Sequence, residues 1–287
     1  MSHNNEKVVI EANGLFRVEV RPTFSHYMRS AWRRRNFIVA EARSDAFSIS
    51  RGNALGKFWI ILDPLLQSSV YVIVFGLILD SVRGVENFVG FLIIGTTFFG
   101  IFSKGITSAA GMVQKANPLI STFKVSLLEV ALASTYRQFL DGIVPMGVAI
   151  LIALAFQLNE TIPFQLGLIV PLYFLAHIFI LGTQLWVARA TAFLPDLKQL
   201  VSVGVRGLFF LSGVFFTVDR FDADPLLESI VKANPIYQFL DIARNCVLYG
   251  ETIPLEQWLY VLVWAVILGL SGMLYAWRAE GIYASIK

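Results

Sequence analysis

The chain has 287 residues, of which 56% are hydrophobic and only 15% are charged, and its mean hydropathy is +0.66. Soluble domains are about a quarter charged, so this composition excludes an ordinary soluble protein and predicts a multi-pass membrane protein. The net charge of +3 is small, and the distribution of the charges is more informative than their sum. The only cysteine, Cys246, excludes an intrachain disulfide and a cysteine-based metal cage.

Residues 1–57 are predicted to form a cytoplasmic arm that contains an amphipathic helix. From Phe24 to Phe47, apolar residues fall roughly on one helical face, and most of the arginines fall on the other. A basic amphipathic helix of this kind lies in the interface of an anionic leaflet. The alternative is a simple positively charged flank of the first membrane span.

Residues 58–287 contain six apolar runs, each close to the ~20 residues that a ~30 Å hydrocarbon core requires. The predicted spans are Phe58–Leu79, Phe88–Met112, Val130–Phe156, Phe164–Ala188, Leu200–Val218 and Trp258–Trp277. Residues 219–257, before the last span, hold two apolar stretches that are too short to cross a bilayer, Pro225–Val231 and Pro235–Leu248. The predicted fold class is therefore all-α integral membrane. It has six transmembrane helices, an N-terminal amphipathic interface helix, and short re-entrant outer gate helices before the last span.

The lysines and arginines predict the orientation of the chain. Sixteen of them lie in the N-terminal arm, in the loops after the second and fourth spans, and in the C-terminal tail, against four on the opposite side. The positive-inside rule therefore predicts that both termini are cytoplasmic and that residues 219–257 are outside.

Three further cations fall within the spans. Arg137 and Asp141 are four residues apart, so they share a helix face and are predicted to pair; a contact with substrate is the alternative. Lys104 either extends toward an interface or faces a hydrated pathway. Arg206 has no evident partner in its own helix, so it and Lys104 are candidates for attracting an anionic headgroup.

Enzyme motifs are missing from the sequence. The stretch Gly52–Phe58 is one residue too short between its glycines for a phosphate-binding loop, and no Ser or Thr follows Lys57. There is no HExxH and no Gly-x-Ser-x-Gly motif. No catalytic residue, metal site or cofactor is predicted in this chain, so energy must come from a partner or an ion gradient.

Five short motifs, in order, resemble those of one family, the membrane subunits of polysaccharide-exporting ABC transporters (the type-two exporter permeases). They are Leu55-Gly56-Lys57-Phe58-Trp59 followed by Pro64; Asn117-Pro118-Leu119-Ile120; Pro195-Asp196-Leu197; Ser212-Gly213-Val214-Phe215-Phe216; and Asn234-Pro235 followed by Arg244 and Gly250. The family commonly has Arg where Pro195 stands. The resemblance extends from about Phe24 to the end of the chain.

The resemblance implies a homodimer bound to two copies of a separate ATPase, which holds the ATP and magnesium. It implies a bacterial cytoplasmic membrane as the location, with membrane lipids and a lipid-linked glycan as ligands and no nucleic acid. The substrate class would be a polyprenyl-diphosphate-linked glycan moving outward, with O-antigen, capsule, teichoic acid and cell-wall galactan all open.

Four groups of residues are predicted to carry this function. The diphosphate headgroup would meet Arg33, Arg34, Arg35 and Lys57, since arginine suits a diphosphate. The channel would be lined by Phe98, Phe99 and Phe102, for which lipid-facing packing is the alternative, with Lys104 and Arg206. The ATPase would dock on the amphipathic helix and on Asn117, Pro118, Leu119, Ile120 and Lys124. The outer gate would include Asn234, Pro235 and Arg244.

Three other functions remain open at this point. A related ABC permease could move a lipid or a drug. A membrane-embedded transferase acting on polyprenyl-linked sugars would need an acidic pair such as Asp-x-Asp, which the cytoplasmic side lacks. A secondary carrier would need paired carboxylates in its spans and repeated halves, and only Asp63 and Asp141 qualify.

Overall fold

The computed structural model describes residues 22–48, 87–157, 162–218 and 225–286, with scattered positions between 62 and 74. Every regular element in these residues is helical. Lys57, nearly all of the predicted span Phe58–Leu79, and residues 219–224 lie outside the described residues. In chain order the helices are α1 (Phe24–Arg33), α2 (Arg35–Ser48), α3 (Phe88–Ala109), α4 (Met112–Lys115), α5 (Asn117–Phe123), α6 (Leu127–Ala155), α7 (Ile169–Phe193), α8 (Leu197–Leu211), α9 (Pro225–Lys232), α10 (Pro235–Arg244) and α11 (Leu255–Trp277).

Four helices, α3, α6, α7 and α11, are long and apolar enough to cross a membrane, α7 together with the 3-10 turn Phe164–Leu168 that precedes it. They confirm the second, third, fourth and sixth predicted spans, with ends shifted by about one helical turn. Apolar runs of this length are readable from sequence because the bilayer, rather than a particular neighbour, selects them.

The fifth predicted span, Leu200–Val218, is wrong as a continuous helix. Helix α8 ends at Leu211, and Gly213 turns the chain with a φ of +63°. The 15 residues of α8 rise about 22 Å, which is less than a ~30 Å hydrocarbon core. Glycine is required at the turn because φ is positive and because a Cβ would lie 2.6 Å from the ring of Tyr237.

The predicted amphipathic helix is present as α1 and α2, which meet at a distortion of the backbone at Arg34 (φ −91°, ψ 15°). The predicted apolar face is confirmed at Tyr27, Ala31, Ile38 and Ala42, which are all buried. It is wrong at Met28, which was predicted on the same face but is exposed. This face packs on the start of α6 and on the end of α11, so α1 and α2 lie against the spans.

Helices α9 and α10 confirm that the two short apolar stretches are short helices. Asn234 caps α10 by accepting a 2.9 Å hydrogen bond from the N–H of Ile236, and Pro235 occupies the first turn. Proline at this position is favoured because its missing N–H would have no partner inside the helix. A π turn, Asn245–Tyr249, extends α10 to Gly250, which adopts a φ of +62°.

The helices define two ends of the bundle. The arm end consists of α1, α2, α4, α5 and the residues after α11, and the far end consists of α9, α10 and the turn after α8. Helix α3 connects them and is the most enclosed of the four long helices. One buried apolar cluster surrounds α3 and α10, and a second fills the arm end beneath α1.

Candidate functional site

The arm end is organised around Glu129, which is fully buried in the first turn of α6. Its carboxylate accepts a 2.6 Å hydrogen bond from the hydroxyl of Ser30 in α1 and a 3.0 Å bond from the backbone N–H of Ser126. Ser126 in turn accepts a bond from the N–H of Glu129, which completes a capping box. A single side chain therefore caps α6 and holds α1 on it.

The three adjacent arginines occupy different environments. Arg34 contacts the Glu129 carboxylate at 3.3 Å and donates to the carbonyl oxygens of Lys124 at 3.2 Å and of Phe123 at 3.5 Å. Arg33 and Arg35 are exposed, and the Arg35 guanidinium lies 5.7 Å from the ring centroid of Trp32. Of the predicted headgroup residues, Arg34 is thus engaged in holding α1 against the α5–α6 turn, while its two neighbours face outward.

The predicted coupling residues form a short helix and turn beside α1. Pro118 lies in the first turn of α5 and is exposed, and Ile120 packs into the arm-end cluster. Lys124 follows the last residue of the helix and adopts the left-handed conformation. The side-chain amide of Asn117 donates to the carbonyl oxygen of Ile286 near the C-terminus. The structure therefore brings α5 into contact with both α1 and the C-terminal residues.

A second carboxyl, that of the largely buried Glu280, lies between α1, α6 and the end of α11. It accepts a 3.1 Å hydrogen bond from the N–H of Leu127, and the Tyr27 hydroxyl lies beside it while accepting from the N–H of Leu128. Burial, with a smaller contribution from nearby Glu129, raises the pKa of Glu280 to about 8, although the hydrogen bonds that it accepts act to lower the pKa. Burial also raises the pKa of Tyr27 well above its usual value.

The predicted channel residues separate into two groups. Phe98, Phe99 and Phe102 are buried within the subunit, where Phe102 lies 5.2 Å from Phe239 of α10 between ring centroids. These three phenylalanines could line a pathway only if the contacts between their rings and neighbouring rings were broken. Lys104 and Arg206 are exposed on α3 and α8.

The predicted ion pair within α6 is confirmed. The Nε of Arg137 lies 3.5 Å from the carboxylate of Asp141, and both side chains are partly exposed.

At the far end, Arg244 is only 2% exposed. Its guanidinium donates to the carbonyl oxygens of Gly213 at 2.9 Å and Val214 at 3.1 Å, and it lies 3.4 Å from the ring centroid of Phe91. Carbonyls just after a helix lack intrahelical partners, and a cation there is favoured by the helix dipole. Within the described part of the chain no carboxylate forms an ion pair with Arg244, so the carbonyls and the aromatic face compensate its burial.

The predicted gate residues meet at this same point. The side-chain amide of Asn234 donates to the Ser212 hydroxyl at 3.0 Å and to the Leu211 carbonyl oxygen at 3.3 Å. Two motifs that are about twenty residues apart, Ser212–Phe216 and Asn234–Arg244, are therefore one site in space. Asn234 and Arg244 fix both sides of the break that ends α8.

Sequence reasoning missed Ser30, Glu129 and Glu280. For Glu129 a local signal existed, since Ser126 followed three residues later by Glu129 is a capping-box pattern before an apolar run. For Ser30 and Glu280 no local signal was available, because their partners are 99 and 153 residues away.

Comparison with known proteins matches residues 36–248 to the family described as ABC-2 type transporter. The chain is also similar to the O-antigen export system permease protein RfbA of Myxococcus xanthus, with 20% identity over 261 residues that cover 90% of this chain and 98% of the relative. Membrane domains of this kind bind no nucleotide themselves, and the family implies an ATPase partner. The chain belongs to the ABC-2 type transporter family and is the membrane permease component of a transporter rather than an enzyme.

Proposed function

We propose that this permease exports a polyprenyl-diphosphate-linked glycan, as a homodimer bound to two copies of a separate ATPase that holds ATP and magnesium. The observation that carries the proposal is the similarity to an O-antigen export permease along 90% of the chain. The motifs shared with polysaccharide exporters and the cationic arm end support it further. Both termini would be cytoplasmic, because sixteen of the lysines and arginines fall on that side.

The arm end suits the capture of a diphosphate headgroup. Arg33, the last residue of α1, and Arg35, the first residue of α2, are both exposed, and both helices pack against the spans. These arginines lie at the depth of the lipid headgroups if α1 and α2 follow the interface. Arginine donates two parallel hydrogen bonds to phosphate oxygens. Lys57 would add a third cation just before the first span. Arg34 would position these groups by holding α1 in place, rather than contact the headgroup.

The same contacts suit the transmission of movement from an ATPase. A partner that docks on Pro118 and Lys124 would push on α5, whose last carbonyls accept hydrogen bonds from Arg34. Because Glu129 joins Ser30 to the first turn of α6, a displacement of α5 would reach α1 and α6 together. The far end, where Arg244 and Asn234 hold the break after α8, would open as the outer gate.

The test is ATP hydrolysis in nanodiscs by the permease co-purified with its ATPase, with and without polyprenyl-diphosphate glycan. We expect the glycan to change the turnover, and the double variant R33A/R35A to weaken that response about tenfold through the loss of charge-assisted bonds. The matched control is R29A/R43A, which removes the same charge from exposed positions on α1 and α2.

Two results would contradict the proposal. A permease that recruits no ATPase would contradict the whole assembly. Turnover that responds to free phospholipid or to a hydrophobic drug, but not to the glycan, would favour the related lipid or drug permeases instead.

A further inference from the structure

A cavity of about 290 Å³ lies at the arm end between α2, α6 and the α4–α5 segment. One wall is a single face of α6, with Val130, Ala133, Ser134 and Arg137 at helical spacing. The opposite wall comes from α4 and α5, and α2 covers one side. The cavity is much larger than the ~30 Å³ of a water molecule and is close to the lower limit, ~300 Å³, of small-molecule sites.

The cavity lies where a span ends. Ser108, on its wall, is in the last turn of α3, and Lys115 is the last residue of α4. The proposed orientation puts this level at the headgroup region of the cytoplasmic leaflet, where lipid headgroups are the surrounding ligands. Apolar groups also line the cavity and suit the glycerol and first methylenes of a lipid: Phe37, Met112, Leu119 and Val130.

The charges that line the cavity are of both signs. Lys115 and Arg137 supply the cations, and Glu41 of α2 supplies a carboxylate. Within the described ranges, no ion pair or hydrogen bond joins the side chain of Glu41 or of Lys115 to another group. Arg137 already pairs with Asp141, so Lys115 is the stronger anchor for an anion and Arg137 the second.

This charge set selects among lipid headgroups. A polyanionic headgroup would gain from Lys115 but would share the cavity with the Glu41 carboxylate, and like charges repel. A zwitterionic headgroup places its phosphate on the cations and its own cation on the carboxylate. A primary ammonium can donate hydrogen bonds to Glu41, whereas a quaternary choline has no N–H to donate.

We propose that this cavity binds the headgroup of an ethanolamine phospholipid, with the phosphate on Lys115 and Arg137 and the ammonium on Glu41. The bound lipid fills the space between α2 and α6 and so becomes part of the packing that holds the arm on the spans. The site differs from the outward-facing Arg33 and Arg35, and its occupancy does not depend on the glycan, although its placement in the cytoplasmic leaflet relies on the proposed orientation.

The test is native mass spectrometry of the full-length permease, delipidated in detergent and titrated separately with phosphatidylethanolamine, phosphatidylcholine, phosphatidylglycerol and a polyprenyl phosphate. We expect phosphatidylethanolamine to bind at least about fivefold more tightly than the other three, with K115A and E41Q each removing that preference. E41Q should also raise the relative binding of phosphatidylglycerol, because it removes the repulsive carboxylate.

The matched control is R278A, which removes an exposed cation near the same end of the bundle without lining the cavity. It should leave the preference for phosphatidylethanolamine unchanged. Equal binding of the four lipids, or a preference that survives both K115A and E41Q, would overturn the proposal. Tighter binding of polyprenyl phosphate would also overturn it, by assigning the cavity to substrate. Because no ATPase or glycan is present, failure here leaves the export proposal standing on its own test.

Discussion

The hydroxyl of Ser30 in α1 donates a 2.6 Å hydrogen bond to the carboxylate of Glu129, 99 residues further along the chain and fully buried in the first turn of α6. Because the same carboxylate receives the N–H of Ser126 and contacts Arg34, it is the point at which the arm, the α5–α6 turn and a long apolar helix meet. Movement of any one of these elements strains the others.

Replacing Glu129 with alanine should therefore detach α1 from α6. The variant loses half of a capping box and leaves the Ser30 hydroxyl and the Ser126 N–H without their acceptor, so we expect the free energy of unfolding to fall by about 2–3 kcal/mol. Thermal melting in detergent measures the loss, and hydrogen exchange should rise selectively in α1. E256A is the control, since Glu256 stands in the first turn of α11 but is exposed. If E129A and E256A had equal melting temperatures, Glu129 would not be the residue that holds α1 on α6.

Arg244 is expected to hold the end of α8 in place. R244M removes both donors from the carbonyls of Gly213 and Val214, and leaving two buried carbonyls unpaired should cost about 3 kcal/mol. R244K should have an intermediate effect, because an ammonium keeps the charge but lacks the planar fork that reaches two acceptors. The measurement is thermal melting together with hydrogen exchange over residues 212–217. R206M, which alters an exposed arginine on α8, should change stability by less than about 0.5 kcal/mol.

The sequence was sufficient for the parts of the fold that the membrane itself imposes. Four apolar runs became long helices, and the proline-led stretches at Pro225 and Pro235 became short ones, because length and the first-turn preference of proline are local properties. The end of α8 was not predictable in this way. The apolar residues after Ser212 continue the pattern of a span. The break in the helix depends on Arg244 and Tyr237, which contact the turn at Gly213 in space but lie more than twenty residues away from it in the sequence.

The site shows the same division between local and long-range information. The motif residues predicted at the far end do assemble, because each motif is a short segment with its own turn chemistry. The three arginines at residues 33–35 could not be told apart, since only the folded arm shows that Arg34 reaches Glu129 while Arg33 and Arg35 face outward. Contacts of this kind are set by packing across about a hundred residues.

Gly95 and Gly100 offer a matched pair within α3. A Cβ on Gly95 would lie 2.4 Å from a terminal nitrogen of Arg244, whereas a Cβ on Gly100 would meet no atom within 4 Å. G100A should be neutral or stabilise the helix by up to about 1 kcal/mol. G95A should lower the melting temperature by displacing the guanidinium, and this loss should shrink in an R244M background, where the clash is absent. Additive effects of G95A and R244M would show that the two positions act independently.

The contact between α7 and α11 should tolerate no side chain at Gly182. A Cβ there would lie 2.4 Å from the backbone carbon of Leu268, so the two helices would have to move apart. Because backbone cannot rotate away as a side chain can, G182A should cost about 3 kcal/mol or more. G147A is the control, since Gly147 lies in α6 with no atom within 4 Å of its would-be Cβ. If G182A had the same melting temperature as G147A, this result would contradict the close approach of α7 and α11.

Glu280 should make the arm end sensitive to alkaline pH. Burial raises its pKa to about 8 from the usual 4.5, so between these values the folded chain binds more protons than the unfolded chain, and stability falls as pH rises. The groups around it are Tyr27 of α1, Glu129 of α6 and Tyr283 after α11, and none of them supplies a compensating positive charge.

The fall in the free energy of unfolding attributable to Glu280 should be about 2 kcal/mol between pH 6 and pH 8, measured as the shift in thermal melting. E280Q keeps an acceptor for the N–H of Leu127 but cannot ionise, so its melting temperature should vary less over this range. E251Q, at an exposed position at the far end, should behave as the unmodified chain does. The prediction would be contradicted if E280Q showed the same difference in melting temperature between pH 6 and pH 8 as the unmodified chain. The pH dependence would then come from the ionisation of another group, and Glu280 would serve only as a hydrogen-bond acceptor.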